Sequence, residues 1–446
     1  MSFSSVNEKI GRHRWTICGL VFAATTVNYL DRNVLGLLKP VLSANGVFGA
    51  IKAEQELNYS TVVICFQIAY AAGMLLAGKI IDKVGTKSGY AYSLIGWSLA
   101  AIGHAFGHHT WSFGIWRAAL GIAEAGNFPA ANKAIAEWFP KKERALATGF
   151  YNSGANVGAI VAPLCVPWIA IHWGWEWAFI LTGVVGFTWL FFWYTMYDTP
   201  ATKLQNGHLS QVEYDFIHSD ADEQAAEQAA GGQDKVAWGK LLTFRQTWAF
   251  VIGKFLTDPI WWFFLFWLPS YFSERFHLDL KKPSLELIIV YTATTIGSIG
   301  GGYLSGYLIN KGWPSFKARK WSMFSFAIAV VPIMLARYCD NIWQAVGLIS
   351  LAAAAHQAWS ANIYSIATDM FPKKAVSSVI GIGGMAGSVG GIFFPMIVGY
   401  LLDKYKLAGD INDGYNIIFL LCGSAYMIAW LIIYSLAPKL ETAQID

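Results

Sequence analysis

The sequence predicts an all-α membrane protein of twelve transmembrane helices, arranged as two pseudo-symmetric six-helix bundles. Three observations lead to this prediction: the composition, the number of apolar runs and a repeat between the two halves. Of the 446 residues, 55% are hydrophobic and 13% are charged, whereas a soluble domain carries about 25% charged residues. This composition excludes an ordinary soluble protein, and the small net charge of +4 gives no support for nucleic-acid binding.

Twelve runs are apolar over about 20 residues, which is long enough to cross a bilayer as a helix. We call them spans 1 to 12 in chain order. An even number of spans places both termini on one side, and Lys and Arg are concentrated in the loops of that side, so both termini are predicted to be cytoplasmic. The predicted spans are residues 15–38, 60–81, 89–109, 111–137, 145–171, 176–197, 247–273, 285–310, 319–338, 341–369, 375–402 and 414–436.

A long polar segment divides the chain into three parts. Residues 1–197 and 247–446 are the predicted six-helix bundles, and residues 198–246 are a predicted cytoplasmic loop. Within this loop, Ser210 and Glu213 form a capping-box pattern, which predicts a short helix. The pattern of residues 138–163 recurs in residues 370–395. A parallel repeat of six spans is typical of transporters whose substrate site lies near the midplane, between the halves.

Charged residues inside two spans are the strongest candidates for function. Arg117 and Glu124 share one face of span 4, about two turns apart, and span 1 contains Asp31 and Arg32. Each charge at the bilayer centre costs about 2.5–3.5 kcal/mol on insertion scales, and such groups usually mark a transport pathway. The structural alternative is that Arg117 and Glu124 form a buried ion pair, which would only fix the helix register.

Residues 78–87 resemble the loop signature of the major facilitator superfamily. In that family the acid and the bases of this loop connect helices, cap a helix end and close the inner gate in one state. Residues 28–33, Tyr70 and residues 117–129 are similar to the anion:cation symporters that carry sugar acids, and residues 85–90 and 356–360 to their hexuronate branch. The gate residues implied by this resemblance are Gly78, Asp82, Lys83 and Lys87.

The resemblance implies the major facilitator fold and proton-coupled import of a sugar-acid anion by alternating access. A hexuronate such as glucuronate or galacturonate is the expected substrate. Some hexuronate carriers lack an acid at the position of Asp31, whereas galactonate-type carriers have one, so galactonate, glucarate or another organic anion stays an alternative. The expected setting is a monomer in the lipid bilayer of a bacterial inner membrane, with protons as the coupling ion, no other cofactor and no metal.

Roles for the individual side chains follow from the chemistry of this substrate. Arginine suits a carboxylate because its planar fork donates two parallel bonds and stays charged, and the family position implies Arg32. Desolvation favours the protonated form of a carboxyl group, and a nearby arginine favours the ionised form. We therefore expect Asp31 and Glu124, with Arg117, to couple protons. Polar groups near midspan are candidate partners for the substrate hydroxyls: Tyr29, Tyr70, Asn156, Gln357 and Ser360.

Two other classes of protein are alternatives to a carrier. A membrane sensor of the same ligand that does not transport it is one alternative, although the central loop offers little room for a signalling domain. A membrane enzyme is a weaker alternative, because the sequence shows neither a nucleophile with a base nor a metal constellation. The chain is therefore predicted not to be an enzyme.

Trp261 and Trp262 of span 7 could stack on a sugar ring.

Overall fold

The computed structural model describes residues 11–51, 54–219, 238–280, 282, 284–371, 373–439 and 443, and these residues contain helices but no strand. All twelve predicted spans are present in the predicted order, which confirms the fold class. Spans 1 to 6 are His13–Ala44, Gln55–Val84, Thr86–His104, Thr110–Glu124 with Asn127–Trp138, Lys141–Trp173, and Trp175–Met196. Spans 7 to 12 are Arg245–Phe266 with Leu268–Phe276, Leu285–Asn310, Ser315–Val330 with the 3-10 helix Val331–Tyr338, Ile342–Met370, Lys373–Leu407, and Ile411–Leu436.

Eight of the described helices are long and apolar enough by themselves to cross a membrane, namely those of spans 2, 5 to 9, 11 and 12. Spans 1, 3, 4 and 10 fall short of this criterion, and for two of them the reason can be read from their residues. Span 1 carries Asp31 and Arg32 in its second half, and span 4 is divided into two shorter helices. The spans with the weakest apolar signal are thus partly those that carry the intramembrane charges.

Three spans that we predicted as continuous helices are interrupted. Span 4 breaks between Glu124 and Asn127, and span 7 breaks at Trp267. Each break is followed within a few residues by a proline, Pro129 or Pro269, whose ring clashes with the carbonyl four residues earlier. At the second break, the carbonyl of Phe266 accepts a hydrogen bond at 2.8 Å from the hydroxyl of Tyr59 in span 2. Span 9 tightens into its 3-10 segment in the same way, at Pro332.

The two halves meet along three pairs of spans: 2 with 11, 5 with 8, and 1 with 7. Two glycines allow the closest approaches. A Cβ at Gly36 of span 1 would lie 2.7 Å from the carbonyl oxygen of Leu265 in span 7. A Cβ at Gly399 of span 11 would lie 2.5 Å from the hydroxyl of Ser60 in span 2. Both contacts lie toward the end of the bundle opposite the chain termini, which we call the distal end.

Hydrogen bonds between the halves close the distal end. The carboxylate of Asp403, near the end of span 11, accepts hydrogen bonds from the backbone amides of Glu56 at 3.0 Å and Leu57 at 2.7 Å, at the start of span 2. A carboxylate is favourable there because a helix N-terminus carries partial positive charge and unpaired amides. The Glu56 carboxylate pairs with Lys39 at 2.6 Å and accepts from the indole of Trp267 at 3.3 Å.

The polar segment between the halves begins with short helices, Pro200–Gln205 and Gln211–Ile217, and ends with Trp238–Leu241. The predicted cap at Ser210 is confirmed, because its hydroxyl accepts from the amide of Glu213 at 3.2 Å. The Glu213 carboxylate binds Arg14 at the start of span 1 and so leaves the capping box half formed. Residues 220–237 of this segment lie outside the described residues.

Candidate functional site

A buried ion pair between two spans is the centre of the site. Nε of Arg32 in span 1 lies 2.6 Å from Oε2 of Glu124 in span 4, and the two side chains are 1% and 0% exposed. Both groups were predicted as site residues, and the structure brings them together. The adjacent nitrogen, Nη2 of Arg32, and the other oxygen of Glu124 have no hydrogen-bond partner among the described residues. The pair is therefore a single contact with two unused polar atoms beside it.

Aromatic rings surround the Arg32 guanidinium. Its central carbon lies 4.8 Å from the ring centres of both Tyr29 and Tyr70, two of the predicted binding residues, and 5.3 Å from that of Phe66. The second half of the chain contributes Trp262 at 5.5 Å. Rings at these distances attract a cation through their π-electrons without consuming its hydrogen-bond donors. Arg32 is thus held at the boundary between the halves, while its Nη2 has no hydrogen-bond partner in the described part of the chain.

The structure contradicts the alternative of an ion pair between Arg117 and Glu124. Glu124 pairs with Arg32, and Arg117 donates from Nη2 to the backbone carbonyl of Arg32 at 3.1 Å. Helical spacing correctly places Arg117 and Glu124 on one face of span 4, but it says nothing about a third group from another span. Arg32 enters from span 1 and takes the acid.

Several buried polar atoms around this pair have no hydrogen-bond partner within 3.5 Å among the described residues, although Thr182 lies near Asp31 and Asn28 lies near Glu124. They include both carboxylate oxygens of Asp31, Nη1 of Arg117 and the side-chain amide of Asn28. A buried polar atom without a hydrogen bond costs about 1–3 kcal/mol, and a charged one costs more. A purely structural cluster would be expected to satisfy these atoms, so the arrangement favours a site that a bound anion or proton completes.

The predicted partners for hydroxyl groups divide into two sets. Tyr29 and Tyr70 contact Arg32 as described above. The side-chain oxygen of Asn156 accepts a hydrogen bond at 3.3 Å from Thr294 of span 8, so Asn156 contributes to the contact between the halves. Gln357 and Ser360 are half-buried on span 10, and no hydrogen bond joins them to Arg32 within the part of the chain that the structure describes. Their role in binding stays a prediction.

The predicted gate residues lie at the end of the bundle that holds the termini. Lys87 pairs with Asp198, at the end of span 6, at 2.9 Å, which ties the loop to its own half. Lys83 is exposed, and a Cβ added at Gly78 would meet open space. The side chain of Asp82 lies outside the described residues, so its predicted role as a helix cap is not addressed by the structure.

Span 7 holds a second charged pair, which was not predicted from the sequence. Nζ of Lys254 lies 2.6 Å from Oδ2 of Asp258, one helical turn further along. The signal was present, because two opposite charges four residues apart interrupt an apolar run just as Arg117 and Glu124 do. Of the adjacent tryptophans in this span, Trp261 stacks on His356 with ring centres 5.5 Å apart, and Trp262 faces Arg32.

Comparisons with known proteins agree with this architecture. The model of the family described as the Major Facilitator Superfamily matches residues 21–395 and 315–445. The chain is 28% identical over 446 residues to the hexuronate transporter of Escherichia coli K12, covering 98% of each chain. It is 30% identical over 406 residues to the D-galactonate transporter of Escherichia coli O6:H1, covering 90% of this chain and 92% of the relative.

Among solved structures, the crystal structure of a D-xylose-proton symporter resembles the fold. The TM-score is 0.74 at 16% sequence identity, with 96% of this chain and 99% of that chain covered. At this identity the likeness concerns the fold alone. The likeness therefore says nothing about the roles of the charged residues around Arg32.

Proposed function

The chain belongs to the Major Facilitator Superfamily, and from this premise we propose that it imports a sugar-acid anion together with protons. It is a membrane transporter and not an enzyme. Glucuronate or galacturonate is the proposed substrate, in keeping with the hexuronate transporter that it resembles over 98% of its length. A galactonate- or glucarate-type acid is the alternative. The observation that carries the proposal is the buried contact of Arg32 with Glu124 beside unused polar atoms.

Arg32 is the proposed ligand of the substrate carboxylate. Its guanidinium is buried, faces rings from both halves of the chain, and keeps Nη2 free. A carboxylate that accepts from both Nε and Nη2 would form the bidentate pair for which arginine is suited. Because Glu124 already occupies Nε, the substrate must displace it.

This displacement supplies a reason for proton coupling. If the substrate takes Arg32, an ionised Glu124 would remain buried without its cation, which costs about 3–5 kcal/mol. A proton on Glu124 removes that cost, so binding of the anion and of the proton favour each other. Asp31, whose two oxygens have no described partner, is the second proposed proton carrier. With two protons for one monovalent anion, each cycle would move net positive charge inward.

The closed distal end supports alternating access as the way of transport. The halves are joined there by Asp403 and Glu56, so Arg32 is closed off from the distal side in this conformation. Rocking of the halves about the central site would break these bonds and expose Arg32 to the distal side. Both termini are proposed to lie in the cytoplasm, which would make the distal side the outside of an inner membrane.

Uptake of labelled glucuronate into proteoliposomes, driven by a pH gradient, tests the proposal. We expect accumulation by the wild type, competition by unlabelled galactonate if the site is not strict for hexuronates, and no uptake by Arg32→Ala. Folding of each variant is checked by its thermal unfolding in detergent. If the folded wild type accumulates neither acid, the sugar-acid assignment is wrong and a sensor that does not transport becomes the better explanation.

The coupling step has a test of its own. Glu124→Gln and Asp31→Asn imitate the protonated acids, so each variant should lose uphill uptake but keep counterflow, in which labelled substrate exchanges for unlabelled substrate. Loss of both activities in a folded variant would contradict a coupling role. Retention of uphill uptake would contradict it equally.

A further inference from the structure

The ion pair of Lys254 with Asp258 belongs to span 7, the span whose Trp262 lies beside Arg32. Lys254 donates from Nζ to the hydroxyl of Tyr364 in span 10 at 2.9 Å. Asp258 lies one helical turn before Trp262 on the same face of span 7, and the ring centre of Trp262 lies 5.5 Å from the central carbon of the Arg32 guanidinium. Trp262 therefore connects the two charged centres, Arg32 in one half and Lys254 with Asp258 in the other.

The two members of the pair differ in accessibility. The Lys254 side chain is 4% exposed and that of Asp258 is 22% exposed. Oδ2 of Asp258 carries the ion pair, and Oδ1 has no hydrogen bond within the described part of the chain. The carboxylate fits there because the facing residue of span 11 is Gly387, where a Cβ would lie only 2.2 Å from Oδ2. Asp258 thus presents its carboxylate, while the ammonium group lies behind it.

We propose that Asp258 selects sugar acids with a single carboxylate by binding hydroxyl groups at the end of the substrate far from Arg32. This inference rests on the proposed function and specifies which acids the site accepts. A hydroxyl can donate to the Asp258 carboxylate in a charge-assisted hydrogen bond, which is stronger than a neutral one. A second carboxylate at that end would instead face the Asp258 carboxylate, and like charges placed together cost several kcal/mol.

The proposed selectivity for monoacids depends on the ion pair of Lys254 with Asp258, and not on the size of the site. The charge of Lys254 is neutralised by Asp258 at 2.6 Å, so the far end has no net positive charge to offer an anion. Removal of the acid alone would leave a buried, unpaired cation, which a second carboxylate could neutralise. The same substitution should therefore weaken binding of a monoacid and strengthen binding of a diacid.

The first measurement uses the wild type alone. Galactonate and galactarate differ in that galactarate carries a carboxylate at both ends. Each is tested as a competitor of labelled glucuronate uptake and as a stabiliser against thermal unfolding in detergent. We expect galactarate to act at least about tenfold more weakly than galactonate in both assays. Equal potency of the two acids would overturn the inference while leaving the proposed function intact.

The second measurement uses Asp258→Asn, which keeps the size of the side chain. We expect galactarate to gain at least about tenfold in potency relative to galactonate in the stabilisation assay. Adding Lys254→Met removes the uncovered cation and should abolish that gain. A matched control is Asp279→Asn, which removes the acid of an exposed pair with Lys282 and should leave the ratio unchanged.

The outcomes are distinct. An unchanged ratio in folded Asp258→Asn, or a gain that persists in the double variant, would overturn the role of the pair. If Asp258→Asn does not fold, the comparison of the two acids on the wild type still decides the matter. If the folded wild type binds and transports neither glucuronate nor galactonate, the proposed function is wrong, and the inference is wrong with it.

Discussion

Removing the carboxylate of Asp403 should open the distal end of the protein. This side chain accepts two hydrogen bonds, at 3.0 Å and 2.7 Å, from amides at the start of span 2. Both bonds cross between the halves, so they exist only while the distal end is closed. A net contribution of about 1.5–3 kcal/mol is typical of a hydrogen bond to a charged group. The nearby Glu56 carboxylate repels Asp403 and reduces the gain.

Asp403→Ala should therefore destabilise the closed conformation by about 2 kcal/mol, and the ratio of open to closed molecules should rise about thirtyfold. The measurement is the distance distribution between spin labels at positions 45 and 407, which are exposed at the distal ends of the two halves. The five native cysteines, Cys18, Cys65, Cys165, Cys339 and Cys422, are first replaced. We expect a second, longer distance to become prominent in the variant.

A matched control separates this effect from the general loss of a helix cap. Asp410 also caps a helix at the distal end, because it accepts from the amide of Asn412 at 3.0 Å, but donor and acceptor belong to the same half. Asp410→Ala should leave the distance distribution unchanged. If Asp403→Ala and Asp410→Ala give the same distribution, the carboxylate of Asp403 does not stabilise the closed distal end.

Three further predictions concern the site and its support. Arg32→Lys keeps the positive charge but loses the planar fork of the guanidinium, so sugar-acid binding should weaken at least about tenfold. The measurement is the stabilisation of the protein by the ligand against thermal unfolding, and unchanged binding would exclude a bidentate contact. Gly121→Ala would place a Cβ 2.5 Å from a backbone carbonyl of span 2, so it should lower the free energy of unfolding by about 1–3 kcal/mol. In the control Gly300→Ala the new Cβ meets nothing within 4 Å, so the unfolding temperature should stay unchanged. Lys39→Met would leave the buried Glu56 carboxylate with Lys406, 3.9 Å from Oε1, as its remaining cation, at a cost of up to about 3 kcal/mol. Adding Glu56→Gln should recover most of the lost unfolding temperature, and a single variant as stable as the double would refute the pairing.

The sequence predicted the spans and most of the charged cluster for one physical reason. Apolar runs of bilayer length identify the helices, and charges inside them stand out because they are costly there. That criterion found Arg32, Glu124, Arg117 and Asp31, three of which the structure links directly by the ion pair and the hydrogen bond around Arg32. The partner of Glu124 was not predictable, because periodicity describes one helix and Arg32 belongs to another.

Other features depend on packing that no periodicity encodes. Asp403 follows the apolar run of span 11 and resembles an ordinary flanking charge in the sequence. Its contact with the start of span 2 arises only because spans 2 and 11 pack side by side. Lys254 and Asp258, by contrast, could have been predicted, because two opposite charges four residues apart interrupt an apolar run. The breaks of spans 4 and 7 were also readable, since a proline follows each within a few residues.

The two halves share a fold but carry different chemistry. At the central site, the N-terminal half holds four buried charged groups, and among them Arg32 and Glu124 form the ion pair. The C-terminal half holds Lys254 and Asp258 in a pair that already neutralises itself. The substrate is proposed to release Glu124 by taking Arg32 from it, whereas nothing in the proposed cycle takes Lys254 from Asp258, so the C-terminal pair stays ionised.

We therefore expect the work of the two halves to be separable. Substitutions at Asp31 or Glu124 should change the ratio of uphill uptake to counterflow without changing which acids bind. Substitutions at Asp258 should change which acids bind without changing that ratio. If a variant of Asp258 uncoupled transport from protons, the C-terminal pair would have to open during the cycle, and the neutral pair seen here would be one state of a second coupling site.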